Sequence, residues 1–543
     1  MSRALAAALI LTLALPAPAL AGRWAVGLER GARKDAVAAR VARATGGRVS
    51  TLAPFALVVQ ARSARGVASL RGVSFVERLD RSRRLAFTPT DPLLKRQWYV
   101  GAVRAFDAWP QRPSLFTTKV AIIDSGIDAS HPEFENRIAD ARSFVDNEPR
   151  KDSFGHGTFV AGIISAGLNN GSGIAGIAFP SRLLVAKVVR PDGTISPEHE
   201  ARAIRWAVDA GAQVINLSLA ALRDPLDGRN DLYSPLEASA IEYAVRKGAV
   251  VVAAVGNGDG APKLPWRYAS YPAALPHVIG VGAMARDGSV PDFSNRDPVY
   301  TDLAAPGEQI FSTVPRALAG EKPCPDDGYS SCGREELRRG DGTSFAAAQV
   351  SAAAALVLAE RPTLAPEQVR ALLERNAADL TPASGCKRCR AGRDELSGWG
   401  LVDVAAAVRM IGAAPPVDDL EPNDYPGSRA AAVLGRSSTI HATIDYWDDP
   451  TDVYRVFLRK RQRLFMKVEG LSASSASLAV WQPGIRKIAP SLSILPGKPL
   501  RRVAITRSAR RLPIRAGKRG WHYVEVKAEF PAFSQYTLTL SKR

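Results

Sequence analysis

The chain has 543 residues, more than one hydrophobic core usually supports, so two or three domains are expected. Its 46% hydrophobic and 23% charged residues are those of an ordinary globular protein. The formal charge of +19 suggests a nucleic-acid partner until it is divided by region. Residues 22–86 carry 14 basic against 4 acidic side chains, residues 87–416 carry 35 against 38, and residues 417–543 carry 22 against 11. The middle of the chain is slightly acidic, which argues against a specific nucleic-acid enzyme, whose basic footprint would lie beside its active site.

The N-terminus reads as an export signal over residues 1–21. Met1-Ser2-Arg3 is a short positive start, Ala4 to Leu15 an apolar stretch and Ala19-Leu20-Ala21 a small-x-small cleavage site. That stretch is too short to cross a bilayer, and no later run reaches the required length. Residues 22–86 alternate apolar runs, such as Ala25 to Leu28 and Phe55 to Val59, with arginine-rich stretches. A helical pattern lies over Asp35–Thr45, so a small α+β module is expected. Arg81 to Arg84 and Thr88-Pro89-Thr90-Asp91-Pro92 break the pattern.

Over residues 87–412 short, wholly apolar runs alternate with helical patterns. Val120–Ile123, Leu183–Val189, Val214–Leu219, Val250–Val255 and Val278–Val281 read as buried parallel strands. Glu200–Ala210 and Leu236–Lys247 read as helices. The alternation predicts an α/β domain with a doubly wound, mostly parallel sheet, whose active site gathers at the carboxyl ends of strands. Asp124 and Asn257 each stand where an apolar run ends. Residues 413–418 read as a linker, and residues 419–543 as an all-β sandwich of short alternating strands.

Four cysteines are present, Cys324, Cys332, Cys386 and Cys389. In an exported chain their even number suggests disulfides, and Cys324–Cys332 with Cys386–Cys389 is the simplest of three pairings. The Cys-Lys-Arg-Cys segment also leaves open a redox motif or half a zinc site.

Three segments bring chemistry: Asp124 in Ile-Ile-Asp-Ser-Gly, His156 in Gly-His-Gly-Thr, and Ser344 in Gly-Thr-Ser ahead of an alanine-rich helical run. An aspartate that orients a histidine, and a histidine that takes the proton of a serine, make a minimal machine for acyl transfer. Around them lie Val120 to Asp128, His131-Pro132, His156 to Gly162 and Ala254-Val-Gly-Asn257. Phe293-Ser-Asn295, Ala305-Pro-Gly307 and Gly342 to Ala346 follow. Over roughly residues 92–412 this set, in this order, resembles the subtilisin-like serine peptidases, the subtilase family.

The resemblance implies a secreted serine endopeptidase without a catalytic cofactor, acting on proteins or peptides. Asp124, His156 and Ser344 would be its triad and Asn257 its oxyanion-hole amide. Ser218-Leu219-Ala220 would pair with an extended substrate, and Ser270 would floor the first specificity pocket. Leu168 to Ile174 resembles the family's calcium loop. Its ligands would be the Asn170 side chain and the carbonyls of Leu168, Ser172 and Ile174, completed by Gln97 and Glu133. Glu133 stands where aspartate is usual, so a structural calcium and a metal-free Asn-Gly turn both stay open. The family's Gly-Thr-Ser-Met-Ala is here Gly-Thr-Ser-Phe345-Ala346, and Asp341 precedes it; these departures are expected to alter packing, not activity.

Residues 22–86 resemble the inhibitor-like propeptide of the family, cleaved somewhere in 81–92. Residues 417–541 resemble the pre-peptidase C-terminal domain, on Glu421-Pro-Asn-Asp424, Asp445, Asp452 to Phe457 and Tyr536 to Leu540. The arginine-rich run from Arg501 to Arg519 suits an anionic surface or polymer. An α/β-hydrolase would need a Gly-x-Ser-x-Gly elbow and the order Ser, Asp, His. A zinc peptidase would need His-Glu-x-x-His. Neither is present, and no internal period marks a repeat protein. The remaining rival is a catalytically silent relative that only binds.

Overall fold

Between Gly22 and Arg78 the alternating apolar and arginine-rich stretches fold as four strands and a helix. In this computed structural model the described residues are 22–543, apart from 30, 54–55, 62, 80–88, 110–116, 147, 320–336, 417, 419, 428–429, 448, 472–475, 486–498, 506–509 and 531–532. The expected signal, most of the expected cleavage stretch, and Cys324 and Cys332 lie outside them. The chain divides into two units, residues 1–86 and 87–543. In the first, β1 (Gly22–Leu28), α1 (Lys34–Thr45), β2 (Arg48–Ala53), β3 (Ala56–Ala61) and β4 (Val73–Arg78) form an antiparallel sheet of order β2-β3-β1-β4 backed by the helix. Val37 and Val41 of α1 are buried with Val26, Leu57 and Val59. The helix stops at Gly46, whose φ of 62° suits glycine and whose N–H returns to Ala42 O.

The second unit begins with α2 (Trp98–Ala102), α3 (Ala105–Ala108), β5 (Lys119–Asp124), β6 (Ile138–Ser143), α4 (His156–Ser165) and β7 (Arg182–Lys187). Then come α5 (Pro197–Asp209), β8 (Val214–Leu217), α6 (Pro235–Arg246), β9 (Val250–Ala254), β10 (Val278–Met284) and β11 (Leu303–Pro306). The seven strands lie in the order β11-β10-β9-β8-β5-β7-β6, paired in parallel throughout. A ribbon of β12 (Ile310–Thr313) and β13 (Leu337–Gly340) leads to α7 (Thr343–Glu360), α8 (Pro366–Arg375) and α9 (Val404–Arg409).

Strand side chains alternate between faces, so a wholly apolar strand feeds two cores. Ile122, Val185, Val214 and Val252 pack with Phe159 and Ile163 of α4 and Ala346 and Val350 of α7. Ala121, Ile123, Leu184 and Val251 pack with Ile204 of α5 and Ile241 of α6 on the other side. Both outer helices start as serine-capped turns with proline first. Ser196 Oγ accepts the Glu198 N–H and Ser234 Oγ that of Glu237. The sheet is thus the doubly wound one expected. One expectation needs correcting: α7, at 18 residues, is long and apolar enough to cross a membrane. It has no polar face because it lies in the core, buried from Thr343 to Ala359.

The remaining strands are β14 (Ala431–Val433), β15 (Ser437–Asp445), β16 (Thr451–Leu458), β17 (Arg463–Glu469), β18 (Ala476–Trp481), β19 (Arg501–Ile505), β20 (Arg510–Arg515), β21 (Gly520–Ala528) and β22 (Phe533–Lys542). They form two sheets, β14-β16-β21-β18-β19 and β15-β22-β17-β20, closed around Tyr454, Val456, Met466, Leu478, Val524 and Leu538. Pairing is antiparallel except between β14 and β16. Cys386 and Cys389 are joined in a disulfide and buried beside Met284 and Leu396, the simplest pairing expected for that segment.

Candidate active site

The strand order reverses beside β5, the kind of place where parallel sheets hold ligands at the carboxyl ends of their strands, here those of β5, β8 and β9. Asp124 ends β5, buried, and each of its carboxylate oxygens lies 2.9 Å from Nδ1 of His156. Oδ1 also accepts the Ser125 N–H at 2.7 Å. A carboxylate at Nδ1 keeps the proton on that nitrogen, so Nε2 carries the basic lone pair.

Close approach of α4 to β5 makes this pair possible. A Cβ on Gly157 would stand 2.2 Å from Gly126 O and 3.2 Å from Asp124 Cβ, so any side chain there would push His156 away from Asp124. Asp152 pins the same turn from beneath. Its carboxylate accepts the N–H groups of Gly155 and Thr158 at 2.8 and 2.9 Å and the hydroxyls of Ser125 and Thr158 at 2.8 and 2.6 Å. A buried anion there meets the unsatisfied amides of a helix start. Nothing in the sequence analysis singled Asp152 out; an aspartate just ahead of a helical run was the available signal.

Ser344 is the second residue of α7 and buried. Its hydroxyl donates to Ser218 O at 3.2 Å, and its carbonyl accepts the Ser218 hydroxyl at 2.8 Å. The Ser218 oxygen also accepts from Asn216 Nδ2, and Asn216 Oδ1 accepts from Ser351 one helical face further on, both at 2.8 Å. This buried relay fixes the first turns of α7 to the end of β8. Asn257 Oδ1 accepts both the N–H and the hydroxyl of Thr343, at 2.9 and 2.8 Å. With its oxygen so held, the Asn257 amide keeps both N–H donors for a ligand. The Phe345 ring lies 4.2 Å from Phe159 and 5.8 Å from His156, centre to centre, the packing role expected for that departure.

Leu219 and Ala220 continue from Ser218, and the next residue, Ala221, exchanges both backbone hydrogen bonds with Tyr271. Ser270, next to it, is buried; its N–H donates to Val255 O and its Oγ accepts from Asn295 Nδ2 at 3.1 Å. Gly256 covers them, since a Cβ there would come within 2.5 Å of Ser270 Oγ. Ser270 and Asn295 therefore form one hydrogen-bonded polar pair packed against Gly256.

The loop from Leu168 to Ile174 does not fit a calcium ion. Glu133 is one methylene longer than aspartate, and its carboxylate fills the loop: Oε1 accepts the Ile174 N–H at 2.8 Å, and Oε2 accepts from Asn170 Nδ2 at 3.0 Å. Asn170 Oδ1 is turned to the Ser172 N–H. Gln97 spans Ala175, accepting its N–H and donating to its carbonyl at 2.9 and 2.8 Å. Asp91, which the sequence analysis passed over, holds the N–H groups of Asn169 and Asn170. Burial pushes the Glu133 carboxyl up to about 7. The predicted ligand set is a hydrogen-bonded turn.

A model of the subtilase family matches residues 117–400. Thermitase of Thermoactinomyces vulgaris is 33% identical over 302 residues, which are 55% of this chain and 94% of that protein. A subtilisin of Bacillus pumilus is 34% identical over 293 residues, 54% of this chain and 90% of that protein. The thermophilic serine proteinase of Bacillus sp. strain AK1 is 35% identical over 231 residues, 42% of this chain and 54% of that protein. The chain thus spans about half the length of that last relative.

Proposed function

Since this chain belongs to the subtilase family and is a serine-type endopeptidase, we propose that Asp124, His156 and Ser344 are its triad. The observation that carries this is the buried Asp124 carboxylate at 2.9 Å from Nδ1 of a part-exposed His156. In this reading His156 Nε2 takes the Ser344 hydroxyl proton as Oγ attacks the scissile carbonyl of a protein substrate. Asp124 stabilises the imidazolium, and His156 then passes the proton to the leaving amine. Water hydrolyses the acyl-enzyme by the same proton path in reverse. The Asn257 amide and the amino end of α7 face the oxygen that gains charge. Leu219 and Ala220 offer a strand edge to the substrate, and Ser270 with Asn295 sets a small, uncharged floor for the side chain before the cleaved bond.

The precursor reading extends this proposal. Residues 1–21 would direct export, and residues 22–86, a separate unit with ten net positive charges (14 less 4), would inhibit the enzyme until cut away. The C-terminal β module, rich in arginine, would hold the enzyme to an anionic surface or polymer. Export of wild type beside Ser344→Ala tests the core of this. Wild type should lose roughly the first 65 residues after the signal, the span of the proposed propeptide, and cleave casein, whereas Ser344→Ala should accumulate at precursor length and leave casein intact. Equal lengths with no casein cleavage by either would favour the silent, binding-only relative.

A further inference from the structure

One end of the β module gathers positive charge with no acidic side chain beside it. At the opposite end Trp447 packs on Trp399 of the peptidase, ring centres 5.2 Å apart. β16 starts near Trp447 and runs eight residues, which at about 3.3 Å each set its far end about 25 Å away. There the turn from β16 to β17 leaves Arg459, Lys460, Arg461 and Arg463 exposed. The turn from β20 to β21 adds exposed Arg515, Lys518 and Arg519 at the same place, since Arg463 pairs with Arg515 and Leu458 with Gly520. Arg436 and Arg543 complete this end, where β15 begins and β22 finishes. No Asp or Glu occurs in residues 434–441, 455–465, 470–524 or 538–543, the segments that build it.

This arrangement costs stability, so folding alone does not account for it. Arg463 and Arg515 stand directly opposite on neighbouring strands, where like charges repel. Arg515 Nε donates to Arg461 O at 3.3 Å, which brings a third cation to the pair. Arg461 has a φ of 69°, a conformation glycine adopts without penalty, yet an arginine holds it. The guanidinium groups of Arg519 and Arg543 lie 5.7 and 5.3 Å over the rings of Phe457 and Phe465, which orient them and leave their charge intact. Two leucines rise from the same end, Leu434 at 78% and Leu500 at 46% exposure. Lys542 Nζ donates to Leu434 O at 3.3 Å, and the Leu500 N–H donates to Val480 O, near where β18 pairs with the start of β21.

We propose that this end seats the enzyme on an anionic lipid surface, with the basic side chains at phosphate head groups and Leu434 and Leu500 in the apolar boundary beneath. The proposal rests on the reading that the β module holds an anionic partner, and it names that partner. A soluble polyanion would use the charges alone. Exposed leucines set among cations match an interface that is apolar under a charged layer.

The test sediments the full chain, kept with phenylmethylsulfonyl fluoride against self-cleavage, with vesicles of equimolar phosphatidylcholine and phosphatidylglycerol. It should bind these, release them as salt rises, and ignore vesicles of phosphatidylcholine alone. At about fivefold per charge near such a surface, Arg461→Gln combined with Arg515→Gln should weaken binding about 30-fold. Leu434→Ser should weaken it about tenfold and leave heparin binding unchanged. These variants replace exposed side chains and should keep the wild-type thermal midpoint. Leu434→Trp gives a reading local to this end, whatever the basic N-terminal module contributes: brominated phosphatidylglycerol should quench its added emission, and heparin should not. Binding to heparin without binding to the vesicles would overturn the lipid proposal and leave the anionic partner standing, whereas binding to neither would overturn both. Unquenched emission from Leu434→Trp on bound vesicles would overturn the assignment to this end, as would a double variant that binds vesicles like wild type.

Discussion

Two histidines in this protein meet aspartates at almost the same distance, in settings that lead to opposite chemistry. His156 Nδ1 stands 2.9 Å from Asp124, its side chain 28% exposed. His277 Nε2 stands 2.8 Å from Asp424, 5% exposed, with Glu421 at 3.8 Å and Glu367 at 4.0 Å. Burial alone would lower the His277 pKa, but Asp424 and the other acids hold it above its ordinary value. A histidine kept protonated cannot take a proton from a serine. A His–Asp contact alone is therefore no general base; in the proposed reading His156 acts because it is part-exposed and paired with one carboxylate, whereas His277 is buried among several.

The comparison breaks most sharply at the histidines themselves. His156→Ala should lower kcat by about 10⁶-fold, the scale of losing a triad member, while His277→Ala should leave kcat/KM within about threefold and lower the thermal midpoint. Loss of activity in a folded His277→Ala would overturn the contrast. A smaller effect sharpens it from the oxyanion side. Asn257→Ala should cost about 10²–10³-fold in kcat with KM little changed, because its amide acts on the transition state. A KM effect alone would make Asn257 a binding residue.

The smallest effect concerns a buried acid pair with no histidine. Glu200 of α5 is raised well above 4.5, first by burial and then by Glu237; Glu237 of α6 is raised by burial, which outweighs its hydrogen bond with Glu200. A carboxyl raised on folding stays protonated in the native state after the unfolded chain has ionised. Stability is therefore full below the ordinary pKa of 4.5 and falls as pH climbs above it. Wild type should melt several degrees lower at pH 8 than at pH 5, and Glu200→Gln should narrow that gap. An unchanged gap would remove the pair from the account.

Much of the catalytic region was legible because its signals are local. Asp124 ends an apolar run, His156 opens a helix, and Ser344 follows a glycine ahead of an apolar helix, so each announced itself within a few residues. The supporting contacts are not local. Ser351 reaches Asn216 across 135 positions, and His277 meets Asp424 across 147. No period or motif encodes such pairs; only the sheet order brings them together. The loop at 168–174, left open between calcium and a metal-free turn, is decided by a subtler feature. Its turn residues were readable, but the length of Glu133, set in a different element, decides what fills the turn. Length was also misread in one place: α7 is long and apolar on every side because the core surrounds it.

The central claim is that the His156–Asp124 pair makes Ser344 a nucleophile. Phenylmethylsulfonyl fluoride reports this directly, followed by mass-spectrometric mapping of the modified residue in wild type and in His156→Ala. The account predicts one sulfonyl group, on Ser344, in the wild type and almost none in the variant. A label on another serine, or equal labelling of Ser344 without His156, would contradict it.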